Sequence, residues 1–132
     1  QGERMVTPNQ FQASLLIGTS RLPTGSSDPC NPSGSGWIMA IDPFSGVAPT
    51  SPFFDVNNDG SFTTSVGGDV AIAANGTVYV AAGVGFNAIP NNPIFVGHSM
   101  LISFDNAKTG STNTRGSVGT LKKVSWREIL GM

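Results

Sequence analysis

The sequence predicts an all-β protein built from antiparallel strands, and three observations carry that expectation. No stretch of useful length repeats its apolar residues at helical spacing, whereas several short apolar runs are bounded by Gly, Pro, Asn and Ser. Only 11% of the 132 residues are charged, and 17 glycines and 9 prolines help fill the gap. That composition suits short strands joined by many turns. Finally, Asn75-Gly76 stands between two apolar runs, and this dipeptide favours a two-residue hairpin turn because both central residues need positive φ.

Taken in order, the strand candidates are "ASLLIGTS" (13–20), "GWIMAID" (36–42), the two arms of "DVAIAANGTVYVAAG" (69–83), "NPIFVG" (92–97), "SMLISFD" (99–105) and "GTLKKVSW" (119–126). A two-residue turn at Asn75-Gly76 pairs Ile72 with Tyr79 and Val70 with Ala81. Both faces of that hairpin are apolar, which predicts a place between layers. The intervening segments "LPTGSSDPCNPSGS", "PFSGVAPTSP" and "NAIPNNP" are turn clusters. The stretch 106–117 is polar and unpatterned and is expected to be a mobile loop. Beyond it, Ser125 and Glu128 can cap one helical turn over "WREIL", or the last strand can run into a tail. Residues 1–132 are expected to form a single all-β unit, and the start at Gln1 suggests a processed product or a piece of a longer chain.

Charge and composition exclude several classes. A net charge of −1 gives no electrostatic case for nucleic acid or for an anionic membrane. No apolar run approaches the roughly 20 residues of a membrane helix. Cys30 is the one cysteine, so no disulfide forms within these residues; it reads as a free thiol or, in a secreted parent, as the partner of a cysteine outside this chain. The polar, weakly charged composition leans towards a secreted or cell-surface protein.

The stretch "FFDVNNDGSFTT" (53–64) carries the one candidate site. A calcium loop draws oxygens from its first, third and fifth positions, turns at a glycine in the sixth, and takes a backbone carbonyl from the seventh. Asp55, Asn57 and Asp59 stand at the first three of these, Gly60 at the turn and Ser61 at the carbonyl. The ninth position is Thr63 and the twelfth Val66, so the bidentate acid of an EF-hand is missing, and Asp69 reaches the site only by folding back. The same spacing also suits a pair of Asx turns, in which Asp and Asn bond their own backbone. Both readings stand at this point.

No catalytic constellation emerges. "GVGF" (83–86) lacks the lysine and the helix of a phosphate loop and reads as a glycine bend. His98, the one histidine, lies beside Gly97 with no adjacent acid and reads as a turn residue. No "GxSxG" occurs, and Trp37 and Trp126 read as core and strand-packing residues. The chain is therefore expected to be no enzyme.

An ordered set of short motifs nevertheless resembles one family. "GERMV", "DPC" followed by "GWIMAIDPFSG", then "FFDVNNDGSF", "GVGF" with "NNPIFVG", and "KKVSWREI" come in the order found at the C-terminal end of the PilY/PilC-type proteins of type IV pili. The resemblance runs from Gly2 to Ile129. It implies a β-propeller, of which the strands counted here make about two blades, and a role in pilus biogenesis and tip adhesion. It also implies a calcium loop at Asp55, Asn57 and Asp59, with Ser61 by its carbonyl and Thr63 where the family carries an acid. Partners would be other pilus or surface proteins, the rest of a parent chain, or further copies, since isolated blades leave open edges. The implied location is the cell surface, the pilus, or the periplasm and outer membrane of a Gram-negative bacterium. Two other readings are a structural subunit of an extracellular filament and, from "GWIMAIDPFSG", a blade of a quinone-dependent dehydrogenase.

Overall fold

A computed structural model of the chain describes residues 2–25, 28, 30 and 33–115. Among them it contains nine strands and no helix: β1 (Gln10–Gln12), β2 (Leu15–Thr24), β3 (Ser33–Ile41), β4 (Val70–Ile72), β5 (Val78–Val80), β6 (Gly83–Phe86), β7 (Ile94–Val96), β8 (Ser99–Ser103) and β9 (Thr109–Asn113). They form a four-stranded sheet in the order β1-β2-β3-β6, a three-stranded sheet β7-β8-β9, and the separate hairpin β4-β5. Every pairing is antiparallel. The strand candidate 119–126 and the "WREIL" turn lie outside the described residues.

Period-2 alternation explains how the two sheets meet. Along β3, Gly36, Ile38 and Ala40 are buried while Trp37 is exposed. Ile17 of β2 buries on the same side, as do Met100 and Ile102 of β8 in the second sheet. These residues join Phe53 and Phe54, from the segment connecting β3 to β4, in one core cluster flanked by Leu15, Val84, Phe86, Phe95 and Phe104. The rings interlock: Phe53 meets Phe54 edge-on at 4.9 Å, and Phe86 meets Phe104 at 5.3 Å, spacings that add to the area buried.

Thr19 is a defect in this core. It is 2% exposed, and its hydroxyl finds no hydrogen-bond partner among the described residues. An unmade buried hydrogen bond costs about 1–3 kcal/mol. The Thr19→Val chain, equally branched at Cβ, is therefore expected to gain about 1 kcal/mol, read as a higher urea midpoint at unchanged slope.

Several boundaries differ from the sequence-based expectation. Strands β2 and β3 run on into the first turn cluster, to Thr24 and back from Ser33, where Thr24 Oγ1 donates to Ser33 Oγ at 2.9 Å. "GVGF" is no bend: it is β6, paired with β3, with Gly85 opposite Trp37. A Cβ at Gly85 would lie 3.1 Å from the indole, so the glycine leaves room for the ring to lie across the strand. Trp37 thus packs on the outer face, 50% exposed, and not in the core.

The β4-β5 hairpin is present, but its register is shifted by one residue. Val70 faces Val80 and Ile72 faces Val78. Gly76 N–H donates to the Ala73 carbonyl and Ala73 N–H to the Thr77 carbonyl, closing a three-residue loop in which Gly76 alone has positive φ, +84°. That is the type I turn followed by a left-handed glycine, the next most common hairpin connection. Nor does the hairpin lie between layers, for Ile72 and Tyr79 are 55% and 57% exposed.

The segment 106–117, expected as a loop, contains strand β9. Its described part forms a hairpin with β8 over a three-residue turn, with Ala107 at φ 63° and the Phe104 N–H bonded to the Lys108 carbonyl. The polar run "TGSTN" carries almost no apolar signal because its inward positions are Gly110 and Thr112, with Gly110 beneath the Phe104 ring.

Candidate functional site

The loop between Phe54 and β4 is held at both ends by backbone pairing. Phe54 bridges Thr114, with Asp55 N–H donating to the Asn113 carbonyl and Arg115 N–H to the Phe53 carbonyl. The Phe53-Phe54 pair thereby fixes Asp55 against the end of β9. Two buried phenylalanines ahead of a polar loop are what make its first carboxylate a buried one.

Asp55 is 2% exposed. Its Oδ1 accepts the Asp59 N–H at 3.1 Å, and its Oδ2 accepts the Gly60 N–H at 2.9 Å and the Asn113 amide at 3.3 Å. Burial pushes this carboxyl up, but the Gly60 N–H, the Asn113 amide and the N–H groups of Asp59 and Asn58 together outweigh it and hold the group below its ordinary value of 3.8. Asn57 and Asp59 are exposed and form successive Asx turns. Asn57 Oδ1 accepts the Asp59 N–H at 3.2 Å, and Asp59 Oδ1 accepts the Ser61 N–H at 2.7 Å. The Asn57 amide nitrogen also donates to Asp59 Oδ2 at 2.8 Å and to the Gly67 carbonyl at 2.9 Å. Asn58 and Gly60 take the left-handed conformation, at φ 59° and 78°, which Asn and Gly tolerate best.

Of the five residues expected at the site, Asp55, Asn57 and Asp59 converge, and Ser61 attaches through its N–H to Asp59. Thr63 does not join them. Its N–H donates to Asp69 Oδ2 at 3.2 Å and its carbonyl accepts the Asp69 N–H at 2.9 Å. Sequence spacing missed two participants and named a third, Asp69, only as able to reach the site by folding back. Asp69, fully buried, folds back so that its Oδ1 accepts the Val56 N–H at 2.6 Å. The Gly67-Gly68 pair just ahead of it was the available signal. A side chain at Gly68 would collide with Thr63 Oγ1, so this close return needs glycine. The Gly67 carbonyl and Asn113, which belongs to the unforeseen β9, carried no local signal.

The donor set is carboxylate, amide and carbonyl oxygen, the chemistry a hard divalent cation requires. Among the described residues no three His, Cys, Asp or Glu side chains converge to hold a metal. A cation here would rest on two carboxylates, one amide and backbone oxygen, a less charged set than a full EF-hand. His98 is exposed at the β7-β8 turn beside Gly97, which has φ 64°, and its carbonyl accepts the Thr114 N–H.

Fold and site together define an all-β chain of antiparallel sheets with an exposed Asx-turn loop anchored by the buried carboxylates of Asp55 and Asp69. Over 131 residues the chain is 44% identical to the type IV pilus biogenesis factor PilY1 homolog of Xylella fastidiosa (strain Temecula1), a match that covers 98% of this chain and 10% of that protein. The chain thus spans about a tenth of the length of the curated relative it matches. No protein-family profile matches the chain. No solved structure matches it either.

Proposed function

We propose that this chain is a non-enzymatic β-module of a type IV pilus biogenesis protein at the bacterial cell surface or in the periplasm, with a binding surface ordered by calcium. The observation that carries the reading is the 44% identity, sustained over almost the whole chain, to a protein named for pilus biogenesis. Both sheets also keep apolar side chains on the faces turned away from the shared core: Phe11 and Trp37 on one, Ile94 and Leu101 on the other, all between 44% and 66% exposed. Sheets of this kind bury such faces against neighbouring sheets, which supports a place within a propeller completed by the rest of a longer chain. Among the described residues no helix is long and apolar enough to cross a membrane. Deleting this segment from the full-length protein is expected to abolish surface pili in an otherwise wild-type bacterium; normal piliation would overturn the reading.

Calcium would be held by Asp55, Asn57 and Asp59, with the Ser61 carbonyl as the loop spacing suggests; Thr63, at the ninth position, is turned to Asp69 instead, and the Gly67 carbonyl is a further oxygen beside Asn57. Neutralising two carboxylates would tighten a loop otherwise held by its Asx turns. Thermal unfolding in excess EGTA and then in millimolar calcium tests this directly. Calcium is expected to raise the midpoint of the native chain by about 3–5 °C, equivalent to about 1 kcal/mol for a domain of this size, and to leave Asp59→Ala unchanged. Equal midpoints with and without calcium in the native chain would reduce the loop to a turn.

A further inference from the structure

Asp69 makes a set of contacts that neither pilus biogenesis nor cation binding requires by itself. Every polar group it owns is engaged, and together they reach Val56, Thr63 and Ala81. Its carboxylate takes the Val56 N–H at the start of the loop and the Thr63 N–H near its end. Its own N–H returns to the Thr63 carbonyl, and its carbonyl accepts the Ala81 N–H at 3.2 Å, just past β5. The next residue, Ala82, accepts the Ala40 N–H and so joins β3 of the first sheet. At its other end the loop is fixed to β9 of the second sheet through Phe54 and Asp55. One buried carboxylate thus stands where the acidic loop, the β4-β5 hairpin and the link to the first sheet meet.

We propose that Asp69 is a positioning residue that transmits the order of the 55–63 loop to the β4-β5 hairpin, so that a looser loop is a looser hairpin. The hairpin shares little else with the protein. It belongs to neither larger sheet, and Ile72, Val78 and Tyr79 stand exposed on it. Its firmness therefore depends on Asp69 and the Ala81-Ala82 junction. In the part that rests on the calcium reading above, a cation at Asp55, Asn57 and Asp59 sets how rigidly these apolar side chains are presented.

Residue-resolved hydrogen exchange of the Ala73 and Ala81 amides, both bonded within or at the base of the hairpin, tests the coupling without any metal. In EGTA, Asp59→Ala removes two exposed hydrogen bonds, from the Asn57 amide and the Ser61 N–H, both outside the hairpin, and is expected to speed exchange at Ala73 and Ala81 about fivefold, the effect of about 1 kcal/mol. The Met100 and Ile102 amides should speed up by less, being limited by opening of the core. In Asp69→Asn, where an amide N–H replaces one acceptor, exchange at Ala73 and Ala81 is expected to be fast already, and adding Asp59→Ala should speed it no further. Should Asp69→Asn fail to fold, Asn57→Ala gives the same reading as Asp59→Ala. Native exchange at Ala73 and Ala81 in both loop variants, or simple additivity with Asp69→Asn, would overturn the proposal. Calcium added to the native chain is expected to slow both amides about fivefold. If calcium does nothing while the loop variants still act, the cation reading falls and the coupling stands. If calcium raises the midpoint but leaves these amides unmoved, the coupling falls.

Discussion

Truncating Phe54 to alanine is expected to lower the stability of the chain by about 3–5 kcal/mol, the range for removing a buried aromatic ring. Phe54 is fully buried, packs edge-on against Phe53 and belongs to the cluster that holds residues of both sheets. Its position allows little collapse around the cavity, because its backbone is bridged to Thr114 and the neighbouring ring is fixed between the sheets. A domain of this size is stable by about 5–15 kcal/mol, so the loss takes a large share of that margin. Phe54→Leu should cost about 1–2 kcal/mol, since most of the volume remains. The same truncation at Phe44, which is 98% exposed, should fall within about 0.5 kcal/mol of the native chain. Urea titrations of the three variants check the series, and a Phe54→Ala midpoint close to that of Phe44→Ala would show that the two sheets do not share this core.

Much of that core was legible in the sequence, and the failures have physical causes. Runs such as "LLIGTS" and "GWIMAID" alternate or concentrate apolar residues strongly enough to mark β2 and β3 from composition alone. Their extensions to Thr24 and Ser33 were not visible, because Pro23, Thr24, Ser33 and Gly34 resemble turn residues until a partner strand supplies the ladder. The hairpin at Asn75-Gly76 was placed correctly and registered wrongly. The dipeptide suits a two-residue turn as well as a three-residue one, and the observed loop needs only Gly76 at positive φ. Strand β9 escaped because its inward positions are Gly110 and Thr112, which carry no apolar signal, and the glycine is set by the Phe104 ring above it. The candidate site divides in the same way. Asp55, Asn57 and Asp59 announced themselves by spacing, whereas Asp69 and Asn113 reach Asp55's loop only through tertiary structure, from 14 and 58 residues away along the numbering.

Asp55 and Asp59 are expected to separate the structural role of the loop from its role as a cation site. Without calcium, Asp55→Ala should cost about 2–4 kcal/mol, because it strips the acceptor from the Asp59 and Gly60 N–H groups and the Asn113 amide, and hydrogen bonds to a charged group are worth about 1.5–3 kcal/mol. Partial hydration of the freed loop groups keeps the loss below the sum of three. Asp59→Ala should cost about 1 kcal/mol or less under the same conditions, since its carboxylate is exposed and water replaces its partners. Both variants should lose the calcium response. The acid dependence has a definite sign as well. The Asp55 carboxyl is held below 3.8 in the folded chain, so its contribution is complete above that pH and fades as pH falls through the lower folded value. The gap between the native chain and Asp55→Ala should therefore close in acid, while the gap to Phe54→Ala stays open. Denaturant unfolding at neutral pH and near pH 3, each with EGTA and with calcium, reads all of these differences. A large Asp59→Ala penalty in EGTA would mean that the exposed Asx turns carry the fold of the loop themselves, and the division between buried anchor and exposed ligand would then be lost.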